Sequence, residues 1–193
     1  VSYTATGSTA TVGHGLAAPP DLILAKTSNQ AYNWIAYSSA LGSSTQLLLD
    51  LAMAAQTGSS IMASTDPTST VFTAGAGNNL NYANGNTIIA YCFKSIAGYS
   101  KVGSYTSTYP STTSVYVGFQ PRFVMIKSYN QARNWVIHDS ARGADEQLYA
   151  NLNNAEGNTG TDFQFTSTGF NVSGGGNDLD GGPSYSYIYL AIA

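Results

Sequence analysis

At 193 residues, with 43% hydrophobic residues and a mean hydropathy of −0.07, the chain can bury a real core, as one large β domain or two small ones. Charge is the outlier: Asp, Glu, Lys and Arg make up 9% of residues, against about 25% in ordinary soluble domains, and the net charge is −3. Without a run of Lys and Arg there is no electrostatic footprint for nucleic acid, and no stretch approaches the ~20 apolar residues of a membrane helix.

Smaller features narrow the class further. No secretory leader is present, and the chain starts at Val1, as a processed product or a segment of a longer protein would. Cys92 stands alone, which excludes an internal disulfide and any Cys-based zinc site. It sits in the apolar run Ile88–Phe93, where a buried, inert thiol is expected. Solubility must come from neutral Ser, Thr, Asn and Gly, a surface suited to sugars or to other copies of the protein.

Taken in chain order, the segments read as strands. Leu22-Ile23-Leu24-Ala25 is a continuous apolar run of the kind found in buried strands. Pro20 stands where a strand can begin without a ladder donor. The polar segment from Thr27 to Asn33 is a turn, and Trp34–Tyr37 returns as the partner strand of a hairpin. Leu47–Ala55 has helix-forming composition, but its counterpart near Leu148–Ala155 is rich in Asn, so strand or irregular structure is expected. Ser69–Thr73, Thr87–Phe93, Phe163–Val172 and Ser186–Ile192 complete the set of strands, with a turn-rich junction at 106–114 between the halves.

The chain repeats itself. Residues 20–42 align without a gap on residues 121–143 at an offset of 101, with 10 of 23 positions identical. The identities include Pro20/Pro121, Lys26/Lys127, Asn29/Asn130, Asn33/Asn134 and Trp34/Trp135. The flanks agree as well: Tyr3 with Tyr105, Phe72 with Phe170, and the Gly-rich loops starting at Gly75 and Gly174. The fold expected is all-β, a duplicated β-sandwich or jelly-roll-like assembly. Its repeats are placed at 1–100 and 101–193, and the short junction favours halves packed closely together.

Duplication also sorts the candidate sites. Trp34 and Trp135 occupy equivalent positions, which favours a core anchor in each half over a sugar-stacking indole. Asn177-Asp178-Leu179-Asp180-Gly181 resembles part of a calcium loop, with Asp178 and Asp180 as the ligands to test. The other half has Asn79 and Asn81 there, so a duplicated ion site is not expected, and Asn, Asp and Gly favour such turns by themselves. His138-Asp139-Ser140 holds the residue types of a hydrolase triad, but neighbours on a strand point to opposite faces and cannot relay a proton. Asp139 with Asp145 or Glu146 is a carboxylate pair in no revealing context. No catalytic residue set and no cofactor is expected. Tyr185, Tyr187 and Tyr189 share one strand face, as a cross-strand ladder, an intersubunit contact, a glycan platform or a partly buried sheet face.

The segments from Gly13 to Lys26, Ile88 to Phe93 followed by Gly98 to Thr106, and Val117 to Lys127, with Asn134-Trp135, resemble a repeat domain of tailed-bacteriophage structural proteins. The resemblance covers almost the whole chain and carries no catalytic residue set. It implies a virion component: a tail-fibre segment, an appendage or a capsid-decorating protein. Its implied partners are other virion proteins and copies of itself, a trimer among them. Host-surface polysaccharide is the alternative partner. The closing Ala191-Ile192-Ala193 departs from the polar ending expected of such a protein.

Overall fold

The apolar runs at Leu22 and Phe123 lack polar–apolar alternation because both faces of their strands are buried. Every residue of Leu22–Ala25 and of Val124–Ser128 is buried. These strands stand at the middle of two six-stranded antiparallel sheets in the computed structural model, which describes residues 1–58, 61–76, 79–158, 162–174 and 178–193. The described residues contain strands and turns and no helix.

The chain divides into two units, one of Val1–Asp50 with Ala55–Lys94, the other of Leu51–Ala54 with Ser95–Ala193. In the first, the described strands are Ser2–Thr4 (β1), Ala10–Gly13 (β2), Leu22–Thr27 (β3), Ile35–Ser38 (β4), Thr45–Leu48 (β5), Gln56–Thr57 (β6), Val71–Ala74 (β7) and Thr87–Phe93 (β8). Its large sheet has the order β1-β8-β3-β4-β5-β6, and β2 pairs with β7 in a separate two-stranded sheet. Pairing begins one residue beyond the proline: Asp21 N–H donates to Phe93 O at 2.8 Å, since Pro20 has no donor.

The second unit contains Ser100–Thr106 (β9), Thr113–Tyr116 (β10), Phe123–Ser128 (β11), Trp135–Asp139 (β12), Glu146–Tyr149 (β13), Gly157–Asn158 (β14), Phe163–Thr166 (β15), Gly169–Val172 (β16) and Ser186–Ile192 (β17). Its large sheet, read from the same edge, is β9-β17-β11-β12-β13-β14, the strand order of the first unit. Its small sheet, β10-β16-β15, adds one strand to the β2–β7 pattern. The segment 106–114 lies inside this unit, between β9 and β10, rather than between the halves.

Each unit is a sandwich of unequal layers with its core between them. In the first, Val12 and Phe72 of the small sheet meet Ile23, Ile35 and Ile88 of the large one. In the second, Val115, Phe163 and Phe170 meet Val124, Ile126 and Val136. Burying one such side chain contributes roughly 1.5–3 kcal/mol. The jelly-roll expectation holds for the pairings β1·β8, β3·β8 and β2·β7, whereas β4, β5 and β6 continue the large sheet as a meander. Leu47–Ala55 starts on β5 and leaves it as turns, in line with the strand or irregular structure expected.

Polar residues common to both halves fasten these elements in the same way. Lys26 Nζ donates to Tyr32 O and Lys127 Nζ to Arg133 O, closing the β3–β4 and β11–β12 turns. Asn29 Oδ1 accepts Thr87 N–H at 3.1 Å, and Asn130 Oδ1 accepts Ser186 N–H at 2.9 Å, latching each turn to the last strand. The N–H of Trp34 is held by Asp50 Oδ1 at 3.2 Å, and that of Trp135 by Asn151 Oδ1 at 2.8 Å. The hydroxyls of Tyr3 and Tyr105 donate to Leu80 O and Leu179 O, at 2.9 and 2.8 Å, pinning the Gly-rich loops.

Candidate functional site

The three predicted tyrosines lie on and before β17, the strand paired on both sides by β9 and β11. Tyr187 and Tyr189 point into the core and are 0% and 5% exposed. Tyr105, opposite Tyr187, stacks on it with centroids 4.8 Å apart and planes 10° apart. Of the roles weighed for this face, the cross-strand ladder is the one the packing realises. A glycan platform or intersubunit contact needs exposed ring faces, which Tyr187 and Tyr189 lack. Tyr185 is half-buried and carries the Arg133 guanidinium 5.5 Å above its ring.

Asp178 and Asp180 have different surroundings. Asp178 accepts the backbone N–H and the side-chain amide of Asn134, at 3.0 and 3.1 Å, so both its oxygens hold the start of β12. Asp180 is fully buried beside Ser107 and Thr113. Burial pushes its carboxyl above the usual carboxylate range, and hydrogen bonds from those two hydroxyls offset part of that rise. Its counterpart, Asn81, uses its carboxamide to knit residues 6–8: Oδ1 accepts Thr6 N–H at 2.6 Å and Nδ2 donates to Ser8 O. Asn177, the third oxygen donor of the predicted calcium loop, lies outside the described residues. Among the described residues no three His, Cys, Asp or Glu side chains gather where they could hold a metal ion.

His138 is fully buried and stacked on Phe163, with centroids 4.1 Å apart and planes 4° apart. Its Nδ1 lies 3.0 Å from Ala144 O, which fits the neutral tautomer donating there. Burial holds its pKa down to about 4, and the backbone contacts at Ala144 and Glu146 offset part of that fall. Asp139 turns away from it and caps the following turn, accepting Ala141 and Arg142 N–H at 3.1 and 3.0 Å while pairing with the Arg142 guanidinium. The three triad-type residues are therefore dispersed, as strand alternation required.

The tryptophans differ, although their positions correspond. Trp135 is 1% exposed, in keeping with the anchor expected; Trp34 is only half-buried and so departs from that expectation. Trp34 stacks instead on Tyr91, with centroids 6.3 Å apart and planes 23° apart, and Tyr91 is 51% exposed. A second pair stands two residues away at the same end of that turn: Tyr32 meets Tyr82 edge-on at 6.2 Å, and Tyr82 is 59% exposed. The alignment of the halves hid these pairs because it matched the tryptophans and gave no sign that their neighbours differ. Comparing the non-identical positions would have found them.

The sequence signature of the domain of unknown function DUF7483 matches residues 1–193. The chain belongs to this family. No curated protein and no solved structure matches it. The DUF7483 match runs through both units.

Two further features of the DUF7483 chain bear on chemistry. Cys92 is half-buried against the first core rather than fully enclosed, and burial pushes its thiol pKa up, away from a reactive thiolate. A recess of about 340 Å³ runs beside the edge strands β1 and β2. Its lining includes the hydroxyl side chains Ser2, Thr4, Thr6 and Thr11, with Tyr3 and Asn81 beside them, and no Asp, Glu, His or Cys.

Proposed function

We propose that the DUF7483 chain is a structural component of a bacteriophage virion, a tail-fibre segment, appendage or capsid-decorating protein, acting through contact rather than catalysis. The observation that carries this reading is the shared set of fastenings. Lys26/Lys127, Asn29/Asn130 and Tyr3/Tyr105 hold equivalent backbone positions, as do the differing residues Asp50 and Asn151, so residues common to both halves build the scaffold. A charge-poor surface with exposed aromatic side chains supports the same reading, since such surfaces meet neutral partners. The partners proposed are other virion proteins and copies of the chain itself, with a trimer the form a fibre or spike would require.

Mass spectrometry of purified particles of the phage carrying this sequence tests the proposal. The protein is expected at a fixed ratio to the major capsid protein, and light scattering of the isolated chain is expected to give an oligomer. Particles without the protein would overturn the proposal.

A further inference from the structure

We infer that the two aromatic pairs of the first unit form a binding site for a neutral glycan, with Tyr91 and Tyr82 as its exposed contact rings. Tyr91 lies on β8, where Ile88 and Ala90 face the core. It turns to the opposite face and meets Trp34 there. Tyr32 and Trp34 flank Asn33 at the end of one turn, so a single short segment positions both pairs. Ser28, Asn29 and Gln30 of the same turn are exposed.

The fold does not require these rings. The matching positions in the second unit carry Arg133 for Tyr32, Gly181 for Tyr82 and Leu190 for Tyr91, and only the tryptophan recurs, fully enclosed as Trp135. A strand order shared by both units therefore forms with three of the four rings absent. In their place the first unit leaves two large aromatic side chains more than half exposed, at a cost in solvation that a ligand would remove.

The chemistry of the patch selects the ligand class. A pyranose offers an apolar C–H face to an aromatic ring and a rim of hydroxyls to neutral hydrogen-bonding groups. Tyr and Trp present that combination of flat apolar area and a polar tip. Residues 28–34 and 79–91 contain no Asp, Glu, Lys or Arg, and the nearby Lys26 ammonium is engaged by Tyr32 O. The two charges beside it, Lys26 on Tyr32 O and Asp50 on the Trp34 N–H, are opposite in sign and already bonded to backbone, so the patch offers no net charge to a charged sugar or a phosphorylated ligand. A neutral hexose polymer meets every group on the patch.

This site gives the contact role proposed above a chemistry and rests on that role only for its setting. Absence from particles would overturn the virion role and leave glycan binding standing. A virion protein that ignores glycans would overturn the site alone. The test is affinity electrophoresis of the 193-residue chain through native gels cast with dextran, galactomannan, xyloglucan or a β-1,3-glucan. At least one polymer is expected to retard the wild-type protein. Tyr91→Ala and Tyr82→Ala should each weaken the retardation, Tyr91→Ala by about tenfold, the order expected for one lost aromatic contact. Both side chains are exposed, so both variants should melt with the wild type. Tyr116→Ala, at a 75% exposed tyrosine of the second unit, should bind as wild type does. No retardation by any of the four polymers would overturn the inference, as would retardation that both variants retain. An altered oligomeric state in Tyr91→Ala without loss of any glycan binding would assign the patch to protein contact and overturn it too.

Discussion

One functional group separates Asn81 from Asp180, and the two halves treat it differently. Asn81 donates to and accepts from the segment 6–8, whereas Asp180, equally enclosed, can only accept once ionised. Its folded-state pKa is raised above the unfolded value, so its contribution to stability is present below the unfolded pKa and is lost as pH rises through the folded one. At pH 7, above the unfolded value, the raised pKa is therefore a net cost to the second unit. Asp180→Asn, which installs the residue of the first unit, should raise stability at pH 7 by on the order of 1 kcal/mol, the scale of an imperfectly matched buried polar group. The gain should shrink as pH falls toward 4. Urea unfolding of both proteins at several pH values measures it, and an unchanged midpoint at pH 7 would refute the assignment. His138 runs the other way. Its folded pKa of about 4 lies below the unfolded 6.5, so its contribution is present above pH 6.5 and is lost as pH falls toward 4. In the Asp180→Asn background that acid limb should stand alone. The His138 ring resonances should keep neutral-imidazole shifts down to about pH 5. A ring that titrates near 6.5 would show that the imidazole is not sealed against Phe163. Neither environment was legible in the sequence. It showed that His138, Asp178 and Asp180 differ from their counterparts, but whether a side chain is enclosed depends on partners distant in the chain.

Element existence was the most legible level. Continuous apolar runs, prolines before them and a polar turn with a Trp after it foretold β3 with β4 and β11 with β12. Those signals are local and depend on backbone donors and side-chain volume alone. The division into a large and a small sheet was not foretold, because pairing is a long-range choice: β1 finds β8 across most of the first unit. The extra strand β15 has a local cause instead. Met62–Phe72 spans eleven residues in the first half, with positive φ at Ala63 and Ser64, where Phe163–Phe170 spans eight in the second and closes a tight hairpin. That hairpin leaves no room beside Gly169, on β16. A methyl group there would overlap the Val115 carbonyl oxygen and press on Tyr116 Cα, both backbone atoms of β10. Since backbone cannot swing aside as a side chain does, Gly169→Ala should force β10 away from β16 and break part of their ladder. A loss of about 2–4 kcal/mol is expected, comparable to overpacking plus lost pairing. Thermal unfolding of the variant checks this, and a melting temperature within a degree of wild type would show that the strands absorb the methyl group.

At the scale of the whole molecule the low charge has a measurable consequence. Arg142 joins Asp139 and Glu156 on the surface, with the Arg142 and Glu156 side chains more than 40% exposed, and exposed pairs of this kind contribute about 0–1 kcal/mol. The groups that fasten each unit are instead mostly neutral: tyrosine hydroxyls, carboxamides and backbone amides, whose hydrogen bonds salt screens little even where, as at Asn29 and Asn130, they are exposed. The charged exceptions include Lys26, Asp50, Asp178 and the most enclosed of them, Lys127. It is fully buried, and desolvation lowers its pKa to about 8, so it remains largely protonated at neutral pH against the Arg133 carbonyl. A screening ion cannot approach that ammonium closely. Raising NaCl from about 20 to 500 mM shortens the Debye length from ~20 to ~4 Å and would weaken any stability built on surface ion pairs. For this chain the unfolding free energy at pH 7 should change by less than about 0.5 kcal/mol over that range. Any oligomer should likewise persist, because contacts through tyrosine and neutral polar groups owe little to long-range charge. Urea unfolding and light scattering across the salt series read both quantities. A fall of 2 kcal/mol, or dissociation at high salt, would mean that the few charges carry the molecule after all.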